Sequence, residues 1–339
     1  MQPNRYYTPF LVRHFWAAPE GSPLNREGPV EILIPQSGLD AKEILRLVEH
    51  YQTEGFTDPE ELLDFVEAFW GLKIPRVKVC PEHNPPAEYV VAAFFEKVQN
   101  CVCWANRGGG KTLNGALATW LDAIFKAGCE TKILCGSLEQ SQKMYAHIKE
   151  RFATAPFISL IKGEMLKTFT SMVGDGSIQI LTASSKSVRG PHPQKLKLDE
   201  VDEMAPEIYE AALFIPQSAK GIKASIQIYS TMHKSFGLMN RVITEAHQSG
   251  YRIFKWCIFD VMERCQGRDC QVCPLWEDCQ GKAKKADGFI RIEDAITKKR
   301  MVSKAAWDSE ALCLMPSQEG LIYKEFDLNV HVVSEPLED

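Results

Sequence analysis

An apolar run, Cys101-Val102-Cys103-Trp104, leads into Ala105-Asn106-Arg107-Gly108-Gly109-Gly110-Lys111-Thr112 and then into a helical pattern reaching Lys126. A strand, a glycine turn and a helix in that order leave few folds open. The turn fits the phosphate-loop pattern, with Ala in place of the first glycine. Its three glycines let backbone N–H groups turn inward around the β- and γ-phosphates of a nucleotide, and the helix N-terminus adds its dipole. Lys111 would neutralise phosphate charge, and Thr112 would ligate Mg²⁺. The plain alternative is a glycine-rich turn with a chance Lys-Thr, and the flanking strand and helix argue against it.

The surrounding pattern is α/β. A helix over Glu88–Val98 precedes the apolar strand. Beyond the loop come a strand at Lys132–Cys135, a long helix over Leu138–Phe152, and a hairpin turning at Gly174-Asp175-Gly176 and returning through Ser177–Leu181. A strand at Lys195–Leu198, a helix at Pro206–Leu213, a strand at Ile226–Ser230, a helix through Phe236–His247 and a strand at Tyr251–Trp256 follow. Strands alternating with helices of this length predict a mostly parallel sheet covered on both faces. Three regions result: 1–84, with a strand at Val30–Ile34, two helices and a linker over Pro75 and Cys80–Pro86; 85–256, the core; and 257–339, Cys-rich and basic. The helices of the first region start near Asp40 and at Thr57-Asp58-Pro59-Glu60, a cap with proline at the first helical position.

Leu198-Asp199-Glu200 puts two carboxylates at the C-terminal edge of a strand, where open α/β sheets bind ligands. With the loop on the neighbouring strand, Asp199 would hold Mg²⁺ through water and Glu200 would polarise an attacking water. An acidic helix start is the bland reading, and it suits Asp202 and Glu203 better.

Composition bounds the partners. The chain has 339 residues and a net charge of −5, which excludes a binder driven by a basic tail, so a DNA partner must be held by a local patch. No apolar run approaches the ~20 residues of a membrane helix. The N-terminus lacks a secretory signal, and the chain reads as soluble and intracellular. Its eleven cysteines then suit reduced thiols or metal ligands better than disulfides.

Four of them, Cys265, Cys270, Cys273 and Cys279, bunch as C-x₄-C-x₂-C-x₅-C in a polar segment that no hydrophobic burial would fold. A metal would supply that stability: Zn²⁺, or an iron–sulfur cluster, to which the compact spacing is closer. No metal, with reduced thiols or a disulfide instead, is the alternative. The other seven read as small core residues, with Cys257 a spare ligand and Asp260 a lone carboxylate. Lys282, Lys284, Lys285, Arg291, Lys298, Lys299, Arg300 and Lys304 could grip a phosphate backbone, or merely solvate a helix face around Glu293–Val302. Gln99, Tyr89, Phe94 and Phe95 are candidates for contact with a nucleotide base, but read better as a helix end and core.

The loop with its internal Arg107, Ser187-Val188-Arg189-Gly190, Asp199-Glu200-Val201-Asp202-Glu203-Met204, Ser230-Thr231 and the downstream Glu319–Asp327 segment together resemble the ATPase half of the large terminase subunit of tailed bacteriophages. The resemblance covers roughly residues 85–330. It implies a P-loop NTPase fold of the additional-strand, catalytic-glutamate type and a motor that drives double-stranded DNA into a procapsid by hydrolysing ATP. Carried over, Arg107, Gly108, Gly109, Gly110, Lys111 and Thr112 bind the nucleotide, Thr112 and Asp199 hold magnesium, and Glu200 is the catalytic carboxylate. Ser230 and Thr231 couple hydrolysis to movement. Arg189 falls where an arginine could reach a neighbouring subunit's γ-phosphate, and Arg107 competes for that role in cis. The implied partners are DNA, a portal protein, the small terminase subunit and further copies of the chain in a ring, with a monomer the alternative for the isolated chain, in the host bacterial cytoplasm and away from any membrane. Family members continue into a nuclease, and a chain stopping at Asp339, with Asp327 its last isolated candidate, is not expected to cut DNA. A helicase-like ATPase and a non-catalytic DNA- or portal-binding module are the competing readings.

Overall fold

The computed structural model describes residues 38–184 and 192–316. The expected strand at Val30–Ile34, the Ser187–Gly190 stretch with Arg189, and the Glu319–Asp327 segment lie outside them.

Helix α1 (Ala41–Glu54) opens on a reciprocal cap: Asp40 Oδ1 accepts from Glu43 N at 2.8 Å, and Glu43 Oε2 accepts from Asp40 N at 2.8 Å. It stops at Gly55, where φ is +76°. Helix α2 (Pro59–Trp70) is capped by Asp58 and ends on Gly71 in the left-handed region. Their apolar faces build an aromatic cluster against the next layer: Tyr51 stacks on Phe56 at 4.0 Å between centroids, and Phe65 meets Phe125 edge-on at 5.4 Å. Gln52 Nε2 also donates to Ile124 O, and Trp70 Nε1 to Phe152 O. The N-terminal helices thus share one core with the sheet-covering helices.

Helix α3 (Pro86–Phe94) ends short of the expected Val98. Glu96 leaves the helical path at φ +52° and brings its carboxylate within 2.6 Å of Lys195 Nζ and 3.4 Å of Lys126 Nζ. Next come β1 (Asn100–Ala105), α4 (Lys111–Phe125), β2 (Glu130–Cys135) and α5 (Leu138–His147). The long helix expected through Phe152 is broken, because Ile148–Phe152 winds as a π-type turn. The hairpin β3 (Phe169–Ser171) and β4 (Ser177–Ile180) is followed by β5 (Lys195–Asp199), α6 (Pro206–Leu213), β6 (Ser225–Ser230), α7 (Leu238–Glu245) and β7 (Tyr251–Trp256).

The seven strands lie in the order β3-β4-β2-β5-β6-β1-β7. Every neighbouring pair is parallel except the β3–β4 hairpin at the edge. The loop-bearing β1 and the acidic β5 are therefore not neighbours, as the sequence alone suggested: β6 lies between them and pairs with both. This intervening strand is the additional one of the expected P-loop NTPase class. Parallel pairing puts the C-terminal ends of β1, β5 and β6 on one edge, with Trp104 opposite Ser230 and Asp199 opposite Tyr229.

Both faces of β5 are covered, so even its lysines are buried. Lys197 is fully enclosed, donating to Gln227 Oε1 at 2.7 Å and lying 3.9 Å from Asp122 Oδ2 on α4. Asp122, itself 0% exposed, holds Lys126 Nζ at 2.7 Å. Tyr89 and Tyr229 share a hydrogen bond in the same layer. Tyr89 and Phe94 are core residues, as the plainer reading had them.

After β7 the described residues form three α-helices, α8 (Trp276–Cys279), α9 (Ile292–Met301) and α10 (Lys304–Glu310). The stretch expected as a linker, Cys80–Pro86, is instead pinned against the end of β7. Asn84 N donates to Lys255 O at 2.7 Å, and Cys80 and His83 are buried.

Candidate active site

The turn between β1 and α4 has the shape its sequence demands. Gly108 and Gly110 hold φ of +76° and +82°, which glycine adopts at no steric cost. Gly109 has no room for a side chain, since a Cβ there would press into the Asn106 carboxamide. Trp256 on β7 braces both limbs of the turn: its indole N–H donates to Gly109 O at 2.8 Å, and its carbonyl accepts from Asn106 N at 3.2 Å.

Lys111, only 7% exposed, points its ammonium across the sheet edge. It lies 3.1 Å from Glu200 Oε1 and donates to Thr231 Oγ1 at 2.9 Å. Thr112 Oγ1 donates to Asp199 Oδ1 at 3.3 Å. Ser230 Oγ reaches Glu200 Oε2 at 3.5 Å, and Thr231 Oγ1 donates to Ala105 O at 3.3 Å. Loop, acidic pair and the end of β6 therefore converge on one point.

Glu200 takes a left-handed backbone (φ +50°, ψ +55°), a conformation costly for a residue with a Cβ. Its N–H donates to Tyr229 O at 2.7 Å, which holds the turn and aims the carboxylate at Lys111 rather than along the strand.

The donor set fits a magnesium nucleotide. A ring of glycine backbone beside a buried ammonium suits phosphate, and Thr112 with Asp199 offers the hard oxygens Mg²⁺ takes. Burial, and then the nearby Glu200 charge, push the Asp199 carboxyl up to about 7. A cation beside it would relieve both penalties.

Three further neighbours come from outside the sequence motifs. His233 donates or accepts at 2.6 Å with Glu310 Oε1 and stands 4.0 Å from Glu200 Oε2. Glu310, at the end of α10, accepts Arg107 N through its backbone carbonyl at 2.8 Å and faces the Arg107 side chain at 3.7 Å. Arg107 is otherwise largely exposed, with its guanidinium turned to its own chain. Phe289 packs beside Gly110. The C-terminal segment thus closes against the loop.

The Glu310 hydrogen bond outweighs partial burial and raises the His233 pKa above its ordinary 6.5, while His233 lowers that of Glu310. In an NMR titration the His233 imidazole should stay protonated above pH 6.5, and Glu310→Gln should bring its midpoint down. A midpoint indifferent to the substitution contradicts this pairing.

The four clustered cysteines lie on one half-buried segment, where burial and then Cys270 raise the Cys265 pKa. The basic residues nearby are partly neutralised: Lys299 pairs with Asp278 at 2.6 Å, Lys304 with Asp308 at 2.8 Å, and Arg268 with Glu293. Lys284, Lys285, Arg291, Lys298 and Arg300 are exposed.

No protein-family profile and no curated protein matches the chain. Solved structures do. The large terminase of HK97 bacteriophage shares 16% identity, with a TM-score of 0.49 over 76% of this chain and 55% of that one. The ATPase domain of the Thermus phage P74-26 large terminase gives 12% and 0.47 over 74% of this chain and 97% of that one. The large terminase of a thermophilic bacteriophage, solved in complex with ADP, gives 12% and 0.47 over 76% and 56%. This chain is similar to bacteriophage large terminases, spanning about half the length of the full-length ones.

Proposed function

We propose that this chain is an ATP-hydrolysing motor that drives double-stranded DNA into a viral procapsid. One observation carries the enzymatic part: the Glu200 carboxylate, on a strained turn, lies 3.1 Å from the Lys111 ammonium of a glycine loop. The sequence resemblance, in its ordered motifs from Arg107 to Ser230-Thr231, supports the step from ATPase to packaging motor.

In this reading the N–H groups of Gly108–Thr112 and the Lys111 ammonium bind the β- and γ-phosphates. Thr112 and Asp199 hold magnesium, which spreads the charge that develops on the phosphates. Once Lys111 turns to phosphate, Glu200 is freed to accept a proton from the attacking water. Ser230 touches Glu200 and Thr231 touches Lys111, so the end of β6 senses both groups, as a coupling element must. Arg189 is the proposed contact to a neighbouring subunit, with Arg107 its alternative in cis. The exposed lysines and arginines of residues 284–300 are the proposed non-specific grip on DNA, and Cys265, Cys270, Cys273 and Cys279 the proposed metal brace of that segment. A portal protein, the small terminase subunit and ring-forming copies are the proposed partners, with the host bacterial cytoplasm as the setting. No helix among the described residues is long and apolar enough to cross a membrane.

Phosphate release from ATP, with and without double-stranded DNA, tests the proposal. Hydrolysis should require Mg²⁺ and rise with DNA, and Lys111→Ala should reduce it to background. Turnover unchanged in Lys111→Ala would sink the reading.

A further inference from the structure

Two short turns, far apart in sequence, meet beside the phosphate loop. One presents Cys80 and His83, the other Cys257 and Asp260, so each offers its first and fourth residue. Their ligand atoms all lie within 4.8 Å of one another, and all four residues are buried. Among the described residues this, and not the four-cysteine run, is the group whose metal-capable atoms draw together so closely.

The chemistry and spacing of the four side chains fit a metal centre. Cys80 Sγ and Cys257 Sγ are 3.7 Å apart. That is far beyond a disulfide bond of about 2.05 Å. Two thiolates on one tetrahedral zinc, with bonds of about 2.3 Å, stand roughly 3.8 Å apart. His83 Nδ1 and Asp260 Oδ2 complete the set and face each other at 2.6 Å, sharing one proton that a cation would replace. The carboxylate is already oriented by the backbone of the two cysteines: Asp260 Oδ1 accepts Cys80 N at 2.9 Å, and Oδ2 accepts Cys257 N at 2.8 Å. Hydrogen bonds to a metal-binding carboxylate are the usual support for such a ligand.

We infer that Cys80, His83, Cys257 and Asp260 form a structural zinc site that staples the segment before α3 to the end of β7. Two soft thiolates with an imidazole and a carboxylate suit zinc better than magnesium or calcium. Binding releases the two thiol protons and that between His83 and Asp260. Two thiolates, one carboxylate and a dication leave a net charge of −1. With four protein ligands the site is closed, which makes it structural rather than catalytic. Its placement gives it a consequence. Cys257 follows Trp256, which bonds the phosphate turn at Gly109 and Asn106, so the staple also fixes the brace of the loop. None of this rests on the packaging proposal.

The test separates this site from the four-cysteine run. Zinc-loaded protein carrying C270S and C273S should retain about one zinc per chain, with an X-ray absorption shell of two sulfurs and two nitrogen or oxygen atoms. Adding C257S should remove it. Should these variants misfold, cadmium NMR of the unsubstituted full chain reads each site separately, and a resonance in the two-sulfur range is expected. The inference is overturned if the folded C270S/C273S protein binds no zinc, if its shell holds four sulfurs, if zinc survives C257S, or if the cadmium spectrum lacks the two-sulfur signal.

Discussion

Glu200→Gln should cut ATP turnover by about 10²- to 10⁴-fold, the usual contribution of a positioned general base, while nucleotide still binds. The substitution keeps the shape of the side chain and removes only its charge and basicity. The strained turn survives, because it is held by the backbone bond from Glu200 N to Tyr229 O at 2.7 Å rather than by the carboxylate. Lys111 keeps its bond to Thr231 at 2.9 Å and is released from the ion pair at 3.1 Å, so the loop meets phosphate with less competition. Binding should therefore hold or tighten as turnover collapses. Phosphate release and equilibrium nucleotide binding, measured on the same preparation, separate the two effects. Equal turnover in variant and parent, or equal loss of binding and turnover, would remove Glu200 from the chemistry.

Asp122→Ala should destabilise the fold by about 3–5 kcal/mol, as removing one partner of a buried ion pair does. The carboxylate has no exposure and serves Lys126 at 2.7 Å and Lys197 at 3.9 Å. Lys197 is already disfavoured as a cation: burial, only partly offset by Asp122, brings its pKa down to about 8. Without Asp122 an ammonium is left in the core with only Gln227 to accept from it. Adding Lys197→Met should recover much of the loss, because an apolar chain of similar length needs no counter-charge. Urea denaturation of the three proteins measures this. A loss under about 1 kcal/mol in Asp122→Ala, the size of a surface pair, would contradict the account.

How much of this was legible in the sequence follows from which interactions are local. The phosphate turn is local: glycines at 108 and 110 announce positive φ, and Lys111-Thr112 opens a helix. The acidic strand end at Asp199-Glu200 and the β3–β4 hairpin at Gly174-Asp175-Gly176 are local too. Strand order is not, so nothing near β1 says that β6 rather than β5 lies beside it. The alternation of Lys195-Leu196-Lys197-Leu198 gives no sign that both faces are covered, since Asp122 and Glu96 come from other elements. Glu96 illustrates the same limit: a good helix former in a helical pattern, it ends α3 early to reach two lysines. The Cys80–His83 turn looked like linker because its partners sit about 180 residues away in sequence, a separation no spacing rule bridges. A matched pair of three-residue steps, Cys80 to His83 and Cys257 to Asp260, was the available hint. His233 follows Thr231 closely enough to be suspected, whereas Glu310 and Phe289 reach the loop only through the closing of the C-terminal segment.

The most direct measurement of the central claim is a structure of the Glu200→Gln protein with ATP and magnesium. The account predicts the triphosphate wrapped by the backbone of Gly108–Thr112, Lys111 turned from residue 200 to the phosphates, and the residue 200 side chain facing the terminal phosphate. A nucleotide bound elsewhere, or residue 200 turned away from Lys111 and the phosphates, would contradict it.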